Sequence, residues 1–128
     1  MSNRCCSSAP TLIFACSGAA DVGAIADLAA RKLTREGLGN MFCLAGVGGR
    51  VSGIMKSTES AERILAIDGC PLDCAKKCLE EAGFKNYLHL QVAHLGMEKG
   101  KSPVDDKHVE KAAAQGREIL FQCNTRPA

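Results

Sequence analysis

Short apolar runs recur along the chain and indicate buried strands. The first, Thr11–Ala15 (TLIFA), is partly β-branched and ends at polar and small residues. The others have similar length and composition, and they cover Met41–Ala45, Ile64–Ile67 and Tyr87–Leu95. Each run is too short for a helix that buries one face, so we predict four strands.

Helical periodicity fills the segments between these runs. Apolar residues recur every three or four positions over 22–33, 70–79 and 109–120, which predicts three amphipathic helices. A further short helix is expected over 54–60, after a glycine-rich stretch at 46–53 that we interpret as loop or turn. Strands that alternate with helices indicate an α/β fold: one three-layer domain with a mostly parallel sheet of about four strands and helices on both faces.

Length and composition fit this single domain. The chain has 128 residues, 46% of them hydrophobic and 23% charged, which excludes wholesale disorder. We expect the domain to span 11–122, with a small, polar tail at 1–10 and a second tail at 123–128. The net charge of +2 gives no footprint for a nucleic-acid or membrane partner. With no signal-peptide or membrane-spanning pattern, we expect a cytoplasmic location.

Eight cysteines are the unusual feature of the composition. In a reducing compartment, clustered cysteines indicate metal or redox chemistry. Cys16 follows the first predicted strand, Cys43 lies near the end of the second, and Cys70 follows the third. Cys70-Pro71 is expected to open a helix, which places Cys74 one turn later on the same face. Because the carboxyl ends of parallel strands meet at one edge, these four thiols suit a tetrahedral zinc ion.

The other four cysteines are not needed for this metal site, and other roles are expected for them. Cys78 continues the i, i+4 row and is either a packing residue or a spare ligand. Cys123, in the last helix, is expected to be a small buried hydrophobe, and Cys5 and Cys6 to be exposed thiols in the tail. Asp68 and Asp73 flank Cys70, and helix capping is the role expected of Asp68. His94 is interpreted as a structural histidine, with a place beside the metal as the alternative.

Two loop segments partly resemble known phosphate-binding motifs. The segment after the first strand, Gly18–Gly23, is followed by Ala-Ile rather than the Gly-Lys-Ser/Thr of a phosphate loop. Six residues separate Cys43 from Arg50, one more than we expect in the cradle of a cysteine phosphatase. Arg50 is therefore interpreted as a surface or anion-pairing side chain. Both segments favour turns over phosphate chemistry.

The segment Ala-Ile-Asp68-Gly69-Cys70-Pro-Leu-Asp73-Cys74-Ala-Lys-Lys strongly resembles the signature of the DGC family of bacterial and archaeal proteins. The segments around Cys16 (Ala-Cys-Ser-Gly), around Cys43 (Cys-Leu-Ala-Gly) and at His94-Leu-Gly also resemble that family. The resemblance spans roughly residues 11–97. It implies zinc as cofactor, with Cys16, Cys43, Cys70 and Cys74 as its ligands.

Two rival functions use the same residues. A thiol-based redox or sulfur-handling protein would react through Cys70 and Cys74, with Cys16 or Cys43 as the resolving partner. An iron–sulfur protein is the third possibility, because four thiolates also bind a cluster. The sequence leaves open whether the protein is an enzyme.

Overall fold

A computed structural model describes residues 10–125, with side chains described as far as Gln122. This part of the chain forms four strands, five α-helices and one 3₁₀ helix, with at least one helix after each strand. The strands are β1 (Thr11–Ala15), β2 (Asn40–Met41), β3 (Arg63–Asp68) and β4 (Leu88–Gln91). The helices are α1 (Asp21–Arg35), α2 (Leu44–Gly48), α3 (Ser52–Glu59), α4 (Cys74–Glu81), the 3₁₀ helix (Val92–Leu95) and α5 (Asp106–Thr125).

All strand pairs are parallel, and the sheet order is β2-β1-β3-β4. The apolar runs β1 and β3 form the centre, where buried strands are expected. This arrangement confirms the predicted α/β class and the predicted strand number. Because every strand runs in the same direction, all four carboxyl ends lie at one edge of the sheet, which we call the carboxyl edge.

Alternate residues of the strands face two separate cores. On one face, Ile13, Leu65 and Ile67 pack with the buried apolar residues of α1 and α5. On the other face, Phe14 and Ala66 pack with residues of α2 and α4. Helices therefore cover both faces of the sheet, as the alternation of strands and helices along the chain predicted.

Close backbone contact fixes the carboxyl edge against α1. A Cβ atom on Gly69 would lie 2.6 Å from the carbonyl carbon of Val22, so glycine alone permits this approach of the β3 end to the first turn of α1. Asp21, in that same turn, accepts hydrogen bonds from the amides of Gly100 and Ser102 at 2.9 and 3.0 Å. These two bonds lower the pKa of Asp21.

Several predicted boundaries were wrong. The second strand ends at Met41 instead of Ala45, because Cys43 caps α2 there. The stretch 46–53 holds the end of α2 and the start of α3 and is only partly a turn; at Gly46 a Cβ would lie 2.1 Å from Ile54 Cδ1, so glycine lets these two helices touch. The fourth strand ends at Gln91, and His94 lies in the 3₁₀ helix that follows.

The ends of the chain leave some predictions open. Cys5 and Cys6 lie outside the described residues, and so does the side chain of Cys123. Helix α5 continues to Thr125, past the predicted end of the domain at 122, and both predicted tails stay predictions. Within the described range, none of the helices combines the length and the apolar character needed to cross a bilayer.

Candidate functional site

A cysteine follows each of three strands at the carboxyl edge. Cys16 follows β1 directly, Cys43 lies two residues beyond β2, and Cys70 lies two residues beyond β3. Cys74 is the first residue of α4. All four are free thiols; Cys16 and Cys70 are half-buried, whereas Cys43 and Cys74 are exposed. The topology thus brings the four predicted ligands to the same edge of the sheet.

A groove of about 820 Å³ opens where β1 and β2 end, and both Cys16 and Cys43 line it. Ser17, also in its wall, has a left-handed backbone (φ 53°) and donates a hydrogen bond from Oγ to Asp27 at 2.7 Å. Burial opposes ionisation of Asp27, but the hydrogen bonds from Arg31 and Ser17 outweigh it and lower the pKa of that carboxyl. The groove therefore joins two thiols to a charged wall.

The Cys43 sulfur has a backbone donor. Cys43 is the N-cap of α2, and its Sγ accepts a hydrogen bond from the amide of Gly46 at 3.3 Å. Sulfur here occupies the place that a serine or aspartate oxygen takes in most helix caps. An amide donor of this kind supports negative charge on the sulfur, as a metal ligand requires.

Cys70 begins a turn and precedes the helix. The amide of Asp73 donates to the Cys70 carbonyl at 3.1 Å, and Asp73 has a left-handed backbone (φ 54°). The prediction that Cys70 opens the helix and shares one helical face with Cys74 was therefore wrong. Lys99 Nζ lies 3.9 Å from Cys70 Sγ and places a cation beside this sulfur.

The start of α4 is set by a carboxylate from β3. Asp68, 1% exposed, accepts hydrogen bonds from the amides of Ala75 at 2.6 Å and Lys76 at 3.0 Å. These amides are otherwise unpaired donors of the first helical turn. The capping role predicted for Asp68 is thus confirmed, and it explains why the helix starts four residues later than expected.

Asp68 also contacts a second set of polar side chains. The resulting group, which we call the acid–histidine cluster, contains Asp68, Asp73, His89 and Gln91. His89 Nε2 lies 2.9 Å from Asp68 Oδ2 and 3.6 Å from Asp73 Oδ1. Gln91 Nε2 donates to Asp73 Oδ1 at 2.8 Å. Among the described residues, Asp68, Asp73 and His89 are the one group of three potential metal ligands whose ligand atoms all lie within 4.8 Å of one another.

Sequence reasoning missed this cluster. Both His89 and Gln91 fall within the predicted fourth strand, but the sequence analysis assigned them no role. The sequence signal that could have revealed the cluster was the alternation of Tyr87, His89 and Gln91 in the fourth predicted strand, combined with the aspartate that follows the third. What joins them is the parallel register, in which Asp68 is paired with Gln91.

Negative charge accumulates around the acid–histidine cluster. Tyr87 donates its hydroxyl hydrogen bond to Glu80 and packs edge-on against His89, with 6.4 Å between ring centroids. Burial, the bond to Glu80 and the nearby charges of Asp73 and Asp68 raise the pKa of Tyr87 to about 12. The cluster is therefore a strongly acidic corner of the carboxyl edge.

No cysteine belongs to a group of three ligands at that spacing within the described residues. The four-cysteine zinc set therefore stays a prediction. Cys78 is half-buried, its Sγ lies 3.8 Å from the Leu44 carbonyl, and burial raises the pKa of its thiol. These contacts favour the packing interpretation of Cys78.

Arg50 binds backbone carbonyl oxygens. Its guanidinium donates to the carbonyls of Val47, Gly48 and Glu81 at 3.0, 3.1 and 3.0 Å. It thereby ties the end of α2 to the end of α4. Arg50 is exposed, as its interpretation as a surface side chain predicted.

Comparison with known proteins gives the family. The DGC domain family model matches residues 12–115. The chain is also 39% identical over 110 residues to the anaerobic and virulence modulator AnvM of Pseudomonas aeruginosa. The aligned region covers 86% of this chain and 79% of AnvM. No solved structure matches the chain. The chain belongs to the DGC domain family, as the resemblance around Asp68-Gly69-Cys70 implied.

Proposed function

We propose that this DGC-family protein binds one zinc ion through Cys16, Cys43, Cys70 and Cys74 at the carboxyl edge. One observation carries the proposal: the neighbouring strands β2, β1 and β3 are each followed within two residues by a cysteine, and α4 begins at the fourth. Four free thiols from separate segments of the chain at one edge are typical of a metal site and unusual for buried packing cysteines.

The donor chemistry fits zinc. Thiolates are soft ligands that zinc accepts four at a time, and none of the four thiols is consumed in a disulfide. Four thiolates and Zn²⁺ carry a net charge of −2. The N–H dipole of Gly46 beside Cys43 and the ammonium charge of Lys99 beside Cys70 stabilise negative charge on two of the sulfurs. Because no three of these four sulfurs lie within 4.8 Å of one another, zinc binding would draw the strand-end loops together.

The role that fits such a site is structural or regulatory. Four sulfur ligands close the zinc coordination and leave no position for a water molecule to activate. The relative AnvM carries the name of a modulator, which supports a modulating role for this chain. A cytoplasmic location belongs to the same proposal, because free thiols persist where the surroundings are reducing.

A redox function is the second candidate. The exposed thiol of Cys74 and the absence of a sulfur group at ligand spacing among the described residues favour it. In that function Cys70 and Cys74 would exchange with an external disulfide, and Cys16 or Cys43 would resolve the mixed disulfide. The oxidant is then a disulfide of a partner, which leaves as two thiols.

Metal analysis of protein purified without reductant or chelator distinguishes these functions. We expect colourless protein with about one zinc per chain. Single substitutions Cys70→Ser and Cys74→Ser should each remove most of the zinc, whereas the matched control Cys78→Ser, one turn farther along α4, should keep it. Full zinc content in Cys70→Ser would refute the proposal. A brown iron-containing protein would indicate a cluster, and metal-free disulfide would indicate the redox function.

Thermal unfolding provides an independent test. A ligand at a hundredfold excess over its Kd stabilises the folded state by about 2.7 kcal/mol. A chelator at neutral pH should therefore lower the Tm by several degrees, and added zinc should restore it. The two cores should keep the apo protein folded. A Tm that responds to oxidant and reductant but not to chelator would favour the redox function.

A further inference from the structure

We propose that the acid–histidine cluster is a second cation site, separate from the four cysteines, that binds a divalent cation preferring oxygen and imidazole ligands, of which Mn²⁺ is the representative. Its ligands would be one carboxylate oxygen each from Asp68 and Asp73, Nε2 of His89 and the amide oxygen of Gln91. This site does not depend on the zinc proposal, because it contains no sulfur.

The distances suit a shared ion. Ligand atoms about 2.1 Å from one centre lie up to about 4.2 Å apart. His89 Nε2 stands 2.9 Å from Asp68 Oδ2 and 3.6 Å from Asp73 Oδ1, so these three atoms already surround one point with little movement needed. A neutral imidazole with its proton on Nδ1 offers the Nε2 lone pair to the ion.

An unpartnered buried atom points independently to a ligand. Gln91 is 7% exposed, and its Oε1 has no hydrogen-bond partner among the residues that the structure describes. Its Nε2, on the same amide, donates to Asp73 Oδ1 at 2.8 Å, so the unpartnered oxygen belongs to an amide that already contacts the cluster. A buried amide oxygen without a partner costs about 1–3 kcal/mol, and a coordinated cation would remove that cost.

Charge also favours a cation here. Asp68 is 1% exposed and Asp73 lies half-buried, so their carboxylates are poorly solvated. Glu80 adds a third carboxylate beside Tyr87, while His89 is the one side chain of the cluster that can carry a positive charge. A divalent ion would neutralise Asp68 and Asp73 where water is scarce.

Mn²⁺ is the probe that separates this site from the cysteines. Carboxylate, amide and imidazole ligands suit Mn²⁺, whereas thiolates select softer ions such as zinc. Mn²⁺ also loses its free-ion electron paramagnetic resonance signal when bound, which gives a readout independent of any activity. Titration of the full chain with Mn²⁺ alone therefore reports on the acid–histidine cluster.

The expected result is one saturable Mn²⁺ per chain. Asp73→Asn and His89→Gln should each weaken binding by at least about tenfold, because the first removes the negative charge of one ligand and the second removes the imidazole nitrogen. Asp73→Asn keeps an oxygen for the Gln91 bond, and circular dichroism will verify that it folds. Glu98→Gln, an exposed carboxylate outside the cluster, and Cys70→Ser should leave Mn²⁺ affinity unchanged.

Three results would overturn the proposal. The first is no saturable binding up to about 1 mM Mn²⁺. The second is equal affinity in wild type, Asp73→Asn and His89→Gln, which would mean that Mn²⁺ binds elsewhere. The third is loss of Mn²⁺ in Cys70→Ser, which would show that sulfur takes part. If Cys70→Ser loses zinc and still binds Mn²⁺, both proposals are supported. Failure of the zinc proposal would appear in the zinc content, and failure of the cation-site proposal would appear in the Mn²⁺ titration.

Discussion

Asp68→Asn tests how the carboxyl edge is held together. The Asp68 carboxylate uses one oxygen for the Ala75 amide and the other for the Lys76 amide and His89. An asparagine of the same shape keeps one acceptor oxygen and replaces the second with an NH₂ group. That group would face a backbone N–H donor in a site that is 1% exposed.

The cost has two parts. Loss of one helix-capping bond costs about 1 kcal/mol. A buried amide of α4 left without an acceptor adds about 1–3 kcal/mol. We therefore expect the free energy of unfolding to fall by about 2–4 kcal/mol, and the Tm by roughly 8–16 °C at about 4 °C per kcal/mol for a domain of this size.

Differential scanning calorimetry of apo protein at pH 7 measures this effect without any metal. The matched control is Asp73→Asn, whose amide oxygen can still accept the bond from Gln91, and its cost should stay below about 1 kcal/mol. If Asp68→Asn and Asp73→Asn unfold within about 2 °C of each other, Asp68 does not fix the start of α4 as described.

Three further predictions use other parts of the fold. Gly69→Ala should lower the Tm strongly in calorimetry, because its Cβ would lie 2.6 Å from the backbone of α1. The control Gly53→Ala in α3, where nothing lies within 4 Å of the added Cβ, should raise the free energy of unfolding by about 0.5–1 kcal/mol. A similar effect of both substitutions would contradict the close approach of Gly69 to α1. Asp21→Asn should be less stable than wild type at pH 7. Because the folded-state pKa of Asp21 lies below its ordinary value of 3.8, the difference in stability should disappear in acid denaturation curves as the pH falls below 3.8. A difference that stays constant with pH would argue against the two backbone hydrogen bonds to Asp21. In chelator-treated protein, mass spectrometry should show iodoacetamide modifying the exposed Cys43 well before Cys78, whose pKa is raised by burial, and equal rates would contradict that burial.

The sheet and its carboxyl edge were predictable from local pattern. Apolar runs such as Thr11–Ala15 and Ile64–Ile67 indicate buried strands, and the helices between them require parallel connections. Once the strands are parallel, the cysteines after them must share an edge. For that reason Cys16, Cys43 and Cys70 were placed correctly although they are far apart in sequence.

The errors arose where distant groups decide local structure. Pro71 suits the first turn of a helix, yet α4 starts at Cys74 because Asp68, on the preceding strand, caps its amides. Gly46 reads as a loop residue, but it permits contact between α2 and Ile54. The acid–histidine cluster depends on the register of β3 and β4, which no spacing within one segment reveals.

X-ray absorption at the zinc edge of the zinc-loaded full chain tests the four-cysteine centre most directly. It counts the sulfur ligands and measures their distances from the metal. The account predicts four sulfur atoms at about 2.3 Å and no nitrogen or oxygen ligand. A spectrum with two or fewer sulfurs, or with nitrogen and oxygen ligands at about 2.0–2.1 Å, would contradict it and would place zinc elsewhere, with the acid–histidine cluster as the first site to examine.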